Sequence, residues 1–328
     1  MRLARPVVTA LSLSALALLM LGVKLYSNAR KQSMRAAEWP SAETDVLLAS
    51  FPKCGSFWVR FLMASILRGG SAAGLNFDNI ESLVPDLEWG DNRRDFAKFQ
   101  AIEGVGSGLR MFKTHQPFVE ASNPAVSGPS EDGLFDELPR CDIEIGPGME
   151  QSQCRCPNCP VRWRRAVLIV RDARSVFCSY YNFQAKLGNF DGTFREFIRD
   201  EEASGYGYNY VGWLKSWLEA SNSTSVHVLK YEDLKSDAAA ALEPVLRFLS
   251  LDVSREVVMK AVEANDFDSM KRKEIRDGGG KLFKLHYPEA YKKGFALLRK
   301  GQEGDDAAKE CFDIDGEDEE YLNDVLGW

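Results

Sequence analysis

Only three histidines occur in the 328 residues, at positions 115, 227 and 286, and the G-x-x-x-x-G-K-[ST] pattern of a Walker A loop occurs nowhere. The first shortage leaves few side chains able to move a proton near neutral pH. The second excludes the usual nucleoside-triphosphate cradle with its Ser or Thr ligand for Mg²⁺. A basic stripe is missing too. The formal net charge is −7, and the stretch from Glu303 to Asp324 holds eleven acidic side chains against Lys309, so the remainder is slightly basic. That balance argues against a general nucleic-acid binder while leaving room for a local cationic site that holds a small polyanion. No internal repeat and no second domain are visible in the pattern, and 45% hydrophobic and 27% charged residues suit one large α/β domain.

Long apolar runs are equally scarce, with one exception at the amino terminus. Val7 to Val23 is uncharged for 17 residues, between Arg2 and Arg5 on one side and Lys24, Arg30, Lys31 and Arg35 on the other. A helix of that length, with Lys24 snorkelling, can cross a bilayer, so residues 1–40 read as a signal anchor and linker ahead of a domain over 41–328. Two alternatives stay open: a secretory signal peptide cut after Ser27-Asn28-Ala29, and an organellar transit peptide, since no acidic residue precedes Glu38.

The organising stretch is Ser50-Phe51-Pro52-Lys53-Cys54-Gly55-Ser56-Phe57-Trp58. An apolar run, Val46 to Ala49, reads as a buried strand before it, and Val59 to Leu67 has helical apolar spacing after it. Strand, small-residue turn and helix make an anion cradle: backbone N–H groups and the positive end of the helix dipole face the ligand, Gly55 allows close approach, and Lys53 reaches the charge.

Further along, Leu109 to Pro117 predicts a strand ending at a proline turn, with His115 at its end. The region 120–165 is rich in Pro, Gly, Ser and Cys and reads as an irregular insertion or lid. Cys141, Cys154, Cys156 and Cys159 cluster there, spaced for disulfides, a zinc site or free thiols. Ala166 to Val170 is a doubly buried strand. Arg171 follows it directly, at the place where open α/β sheets bind ligands, and Ser179 lies about two helical turns on. Phe194–Glu202, Tyr208–Ala220, Ala238–Leu249 and Arg255–Ala264 are expected helices, Val226–Lys230 a third buried-type strand, and the acidic tail a solvated helix.

The turn resembles the phosphosulfate loop P-K-[ST]-G-[ST]-x-W of the sulfotransferases that use 3′-phosphoadenosine 5′-phosphosulfate, with Cys54 as its one departure. Other blocks resemble the same family in its order: R-x-x-K-T-H-x-P at 110–117, R-D-x-x-x-V-x-x-S at 171–179, Y-E-D-L at 231–234, F-x-x-M at 267–270 and R-K-G-x-x-G-D at 299–305. After Asp305 the family has tryptophan, and here Asp306 stands instead.

The resemblance implies a three-layer, P-loop-like α/β fold with a central parallel sheet flanked by helices. It implies sulfuryl transfer from 3′-phosphoadenosine 5′-phosphosulfate to an acceptor hydroxyl or amine by in-line displacement. Lys53 would stabilise the bridging oxygen, Lys113 the sulfuryl oxygens, and His115 would act as general base. Lys53, Cys54, Gly55, Ser56, Phe57 and Trp58 would form the donor loop. Arg171, Ser179, Arg299, Lys300 and Gly301 would hold the 3′-phosphate, and Tyr231, Phe267 and Met270 the adenosine. No metal is required. The acceptor would be a small molecule or a glycan.

For the anchor, the resemblance implies a Golgi membrane protein with a lumenal domain, where Asn222-Ser223-Thr224 could be glycosylated. The flanking charges lean slightly the other way by the positive-inside rule. The rival readings are an ATP-dependent small-molecule kinase of similar topology and a catalytically silent, membrane-tethered nucleotide binder.

Overall fold

The computed structural model describes residues 44–88, 99, 101–102, 104–105, 108–118, 165–200, 210–220, 224–277, 279, 287–292, 295–298, 311–312 and 316–326. The candidate anchor, the cysteine cluster of the 120–165 insertion, Asn222, Ser223, His286 and the R-K-G-x-x-G-D loop lie outside them.

Among the described residues, four parallel strands form the sheet: β1 (Asp45–Ser50), β2 (Arg110–Thr114), β3 (Arg165–Val170) and β4 (Ser225–Lys230), in the order β2-β1-β3-β4. Every residue of β1 is buried, and β3 is buried except at its ends. Continuous apolar runs are therefore explained: both faces of these strands are covered, so no polar alternation is needed. At the open end of the first pair, Arg110 grips the buried Asp45 carboxylate with two hydrogen bonds, 2.7 and 2.6 Å long. Such bidentate pairing fixes the β1–β2 register as well as neutralising a buried charge.

Helix α1 (Ser56–Leu67) follows β1, and the short α2 (Ile80–Leu83) packs near it. Beyond β3 come α3 (Ala173–Leu187), α4 (Phe194–Arg199) and α5 (Tyr210–Glu219). Beyond β4 come α6 (Tyr231–Phe248), α7 (Arg255–Ala264), α8 (Phe267–Asp277), α9 (Pro288–Lys292) and α10 (Glu317–Leu326). The starts are locally specified: the Asp172 side chain caps α3, Ser254 caps α7, and Thr193 with Glu196 forms a capping box on α4. Among the described residues, no helix is long and apolar enough to cross a membrane.

Three expectations change. β4 is an edge strand among the described residues, and Val228 is exposed; apolar composition alone does not say which strand lies at the margin. The helix expected over Ala238–Leu249 is present, but the Tyr231-Glu232-Asp233-Leu234 block before it is helical as well, the two parts of α6 being separated at Asp237, where φ −150° and ψ 93° leave the helical region. The acidic tail helix is docked rather than solvated. Asp318 of α10 is buried between Arg195 and Arg199, Glu319 pairs with Arg174, Leu322 enters the core, and Arg199 stacks on Tyr321.

Candidate functional site: an anion cradle beside a buried histidine

All four strands run the same way, so their carboxyl ends share one edge. Phe51–Gly55, His115, Arg171 and Tyr231 are the first residues past those four ends. This is the crevice where open parallel sheets hold ligands.

The turn after β1 is held in an unusual backbone. Lys53 has φ 71° and Gly55 φ 96°, both left-handed. A non-glycine residue pays strain there and persists only where its surroundings over-determine it. Phe51 anchors the turn from below, edge-on to Tyr180, Tyr210 and Trp213. Cys54 N–H donates back to the Phe51 carbonyl at 3.3 Å. Gly55 caps α1 without a side-chain hydrogen bond, and the first turn offers its amides to an anion, the first intrahelical bond being Val59 N–H to the Gly55 carbonyl. Space excludes any side chain at 55: a Cβ would lie 2.7 Å from Tyr231 Cδ2.

Around this cradle the other blocks converge. Arg171 Nη1 donates to the Lys53 carbonyl at 3.0 Å, and its guanidinium lies 4.4 Å from the Tyr231 ring centroid. Tyr210 Oη donates to the Arg171 carbonyl and accepts from its N–H. The Lys53 ammonium stands 4.5 Å over the Phe183 ring and donates to the Leu297 carbonyl at 3.2 Å. Residues 295–298 stand directly before Arg299 in the sequence. Trp58 meets Tyr231 edge-on, and its Nε1 donates to the Asn265 carbonyl at 2.7 Å, which ties α1 to the end of α7.

His115 sits at the same edge. Its Nδ1 lies 2.5 Å from the Ser50 carbonyl and 3.3 Å from Ser50 Oγ. A carbonyl can only accept, so Nδ1 carries the proton and Nε2 the lone pair. Burial first, and then the Lys113 charge, lower the imidazole to about 3. The ring is thus neutral, the form a base needs. Glu88 opposes that shift: its carboxylate accepts from His115 N–H at 3.0 Å and from Thr114 Oγ1 at 2.5 Å.

Some expected residues stand differently from their assigned tasks. The Lys113 ammonium is buried and held by Asp86 at 2.7 Å and Glu88 at 3.0 Å. Two carboxylates compete for it with any sulfuryl oxygen, so the structure makes it a counter-ion. Burial raises the Asp86 carboxyl well above its usual range even with Lys113 beside it. The Cys54 side chain is fully buried, and burial pushes its thiol up to about 12, although Arg171 pulls the other way. Enclosure therefore outweighs the pull that a helix N-terminus exerts on a thiol, and Cys54 stays protonated. Met270 is enclosed in the core, Phe267 is half-buried, and Phe57 packs on Phe77, leaving its backbone to the cradle. Ser56 is buried, and Ser179 is half-buried on α3. Arg299, Lys300 and Gly301 lie outside the described residues.

Other contributors had no clear signal. Asp86 and Glu88 lie 27 and 25 residues before Lys113, and nothing local in the sequence points to that pairing. Tyr210 and Glu274 looked like ordinary helix residues. Cys178 and Cys311 form a disulfide, 133 residues apart, joining α3 to the segment before α10. No metal-ligating cluster occurs among the described residues.

A strand-turn-helix anion cradle with an arginine and a neutral histidine on one sheet edge defines an α/β group-transfer protein. Residues 163–313 match the family model described as Sulfotransferase domain. Over 255 residues, 76% of this chain and 74% of the relative, the protein is 24% identical to Sulfotransferase 1 family member D1 of Rattus norvegicus. The solved structure of mouse sulfotransferase SULT7A1 complexed with PAP superimposes with a TM-score of 0.57 at 17% identity, covering 89% of this chain and 86% of that one. Retinol dehydratase in complex with androsterone and inactive cofactor PAP gives 0.56 at 16% identity, covering 88% and 82%. The fold is that of the sulfotransferases, and the Sulfotransferase domain match together with these relatives supports sulfuryl transfer from 3′-phosphoadenosine 5′-phosphosulfate.

Proposed function

We propose that the protein moves a sulfuryl group from 3′-phosphoadenosine 5′-phosphosulfate to a hydroxyl of a small-molecule acceptor. The observation that carries this reading is the meeting, at the end of β1, of Arg171 with the Lys53 carbonyl and of His115 with the Ser50 carbonyl. The cradle fits such a donor: no side chain caps the first turn of α1, whose amides are left to an anion, and Arg171 brings a cation to its rim.

In this scheme the acceptor oxygen bonds sulfur while the bond from sulfur to the bridging phosphate oxygen breaks. His115 Nε2 takes the hydroxyl proton, and the imidazolium formed is favoured by Glu88. Lys53 and the first-turn amides of α1 meet the negative charge that develops on the departing oxygen. Arg171, Ser179, Arg299, Lys300 and Gly301 grip the 3′-phosphate, Arg171 being able to do so bidentately. Trp58, Tyr231 and Phe267 border the base, with Met270 supporting them from the core. Lys113 acts through its carboxylates, holding Thr114 and His115 in place. Cations supply the charge stabilisation, so the scheme calls for no metal.

A small-molecule hydroxyl is favoured over a glycan because the relative of known structure carries androsterone. The match to the Sulfotransferase domain favours this activity over ATP-dependent phosphorylation. A lumenal, membrane-tethered setting is supported by the apolar run at Val7–Val23 and by the Cys178–Cys311 disulfide, since disulfides persist in oxidising compartments. The test is transfer of radiolabelled sulfate from the donor by the full chain to a panel of steroid, phenol, retinoid and glycan acceptors. Labelling of a hydroxyl acceptor is expected; labelling of none, with ATP-dependent phosphorylation instead, overturns the reading.

A further inference from the structure

Glu274 is buried in the third turn of α8, 4% exposed, although no part of the scheme above uses it. Its carboxylate accepts the backbone N–H groups of both Leu297 and Leu298, and Oε2 accepts Lys271 Nζ at 3.0 Å. Lys271 in turn donates to the Leu298 carbonyl. One carboxylate and its lysine therefore pin a short segment, and removing the carboxylate takes the acceptor from the buried Leu297 amide and the half-buried Leu298 amide.

The pinned segment is the one that touches the cradle. The peptide between Leu297 and Leu298 has its carbonyl on the Lys53 ammonium and its N–H on Glu274, which also accepts the Leu297 N–H. Phe295, two residues earlier, lies edge-on to Phe183, the ring under that same ammonium. Leu298 is followed at once by Arg299, where the 3′-phosphate block begins. A single peptide thus links a buried carboxylate on one helix to the lysine of the phosphate turn.

We infer that Glu274 is a positioning residue for the donor: through the Leu297 and Leu298 peptides it sets where Lys53 stands, without touching the reacting atoms. This rests on the donor reading proposed above. A residue of this kind acts on donor affinity and leaves the acceptor side alone.

The experiment uses the full chain with Glu274→Ala, Glu274→Asp and Glu274→Gln, measuring the dissociation constant for adenosine 3′,5′-bisphosphate, the KM for each substrate, and Tm. Glu274→Ala is expected to raise the donor KM and the bisphosphate constant by roughly tenfold, with the acceptor KM within about twofold of wild type. Glu274→Asp keeps the charge but withdraws the carboxylate, and should raise the donor constants about threefold or more in a folded protein. Glu274→Gln still offers an oxygen to the two amides and should recover most of the affinity. Donor constants unchanged in a folded Glu274→Asp variant, or donor and acceptor KM rising together with Gln as poor as Ala, overturn the inference. Wild-type protein that binds no bisphosphate overturns the donor reading itself, whereas normal wild-type binding with unaltered variants overturns the role of Glu274 alone.

Discussion

His115 Nδ1 and the Ser50 carbonyl oxygen stand 2.5 Å apart, joining the end of β2 to the end of β1. This bond decides the histidine's chemistry, because it spends the ring's one proton on the backbone and leaves Nε2 as a base. His115→Ala should reduce transfer by at least about a thousandfold while bisphosphate binding stays near wild type. Rate and binding assays on the variant check it.

The same histidine sets a pH dependence. Its folded pKa of about 3 lies below the usual 6.5, so between those values the unfolded chain binds the proton and the folded one does not. Stability from this group is present in full above the unfolded value and is lost as pH falls toward the folded one. Urea midpoints for wild type and for a His115→Asn variant, compared at pH 7 and pH 5, should show a smaller loss on acidification in the variant.

Gly55→Ala meets two obstacles at once, a left-handed backbone and the Tyr231 ring 2.7 Å from the new methyl. A loss of about 1–3 kcal/mol in stability is expected, with bisphosphate affinity down by an order of magnitude or more. Chemical denaturation and calorimetric titration measure the two separately.

Arg171→Lys keeps a charge but cannot both donate to the Lys53 carbonyl and stack over Tyr231. The donor KM should rise about tenfold with the acceptor KM little changed. Steady-state kinetics with each substrate varied in turn decide it.

The described cysteines separate into a bridged pair and one buried thiol. Removing the Cys178–Cys311 bridge by a Cys178→Ser/Cys311→Ser double substitution should cost about 2–4 kcal/mol, read as a fall in unfolding midpoint. Cys54, buried with its thiol pushed up to about 12, should resist iodoacetamide in the native protein at pH 8 and label once unfolded, as peptide mass spectrometry would show.

The spelling of the chain carried the strands and the cradle because those depend on local rules. Val46–Ala49 and Ala166–Val170 are apolar without interruption, as doubly covered parallel strands must be, and the span expected for Arg255–Ala264 matches α7 residue for residue. What was hidden needed long-range pairing. Lys113 reads as a free cation until Asp86 and Glu88 are brought against it, and the acidic tail reads as solvated until Arg174, Arg195 and Arg199 face it.

The sequence by itself determined the chemistry available: a strand-turn-helix cradle with one glycine, one lysine, one histidine at a strand end and one arginine at another. Only the tertiary structure decided the state of those groups, because protonation and pairing depend on burial and on neighbours far apart in the chain. Parallel strands bring the blocks to one edge, the Ser50 carbonyl chooses the histidine's tautomer, and enclosure silences Cys54.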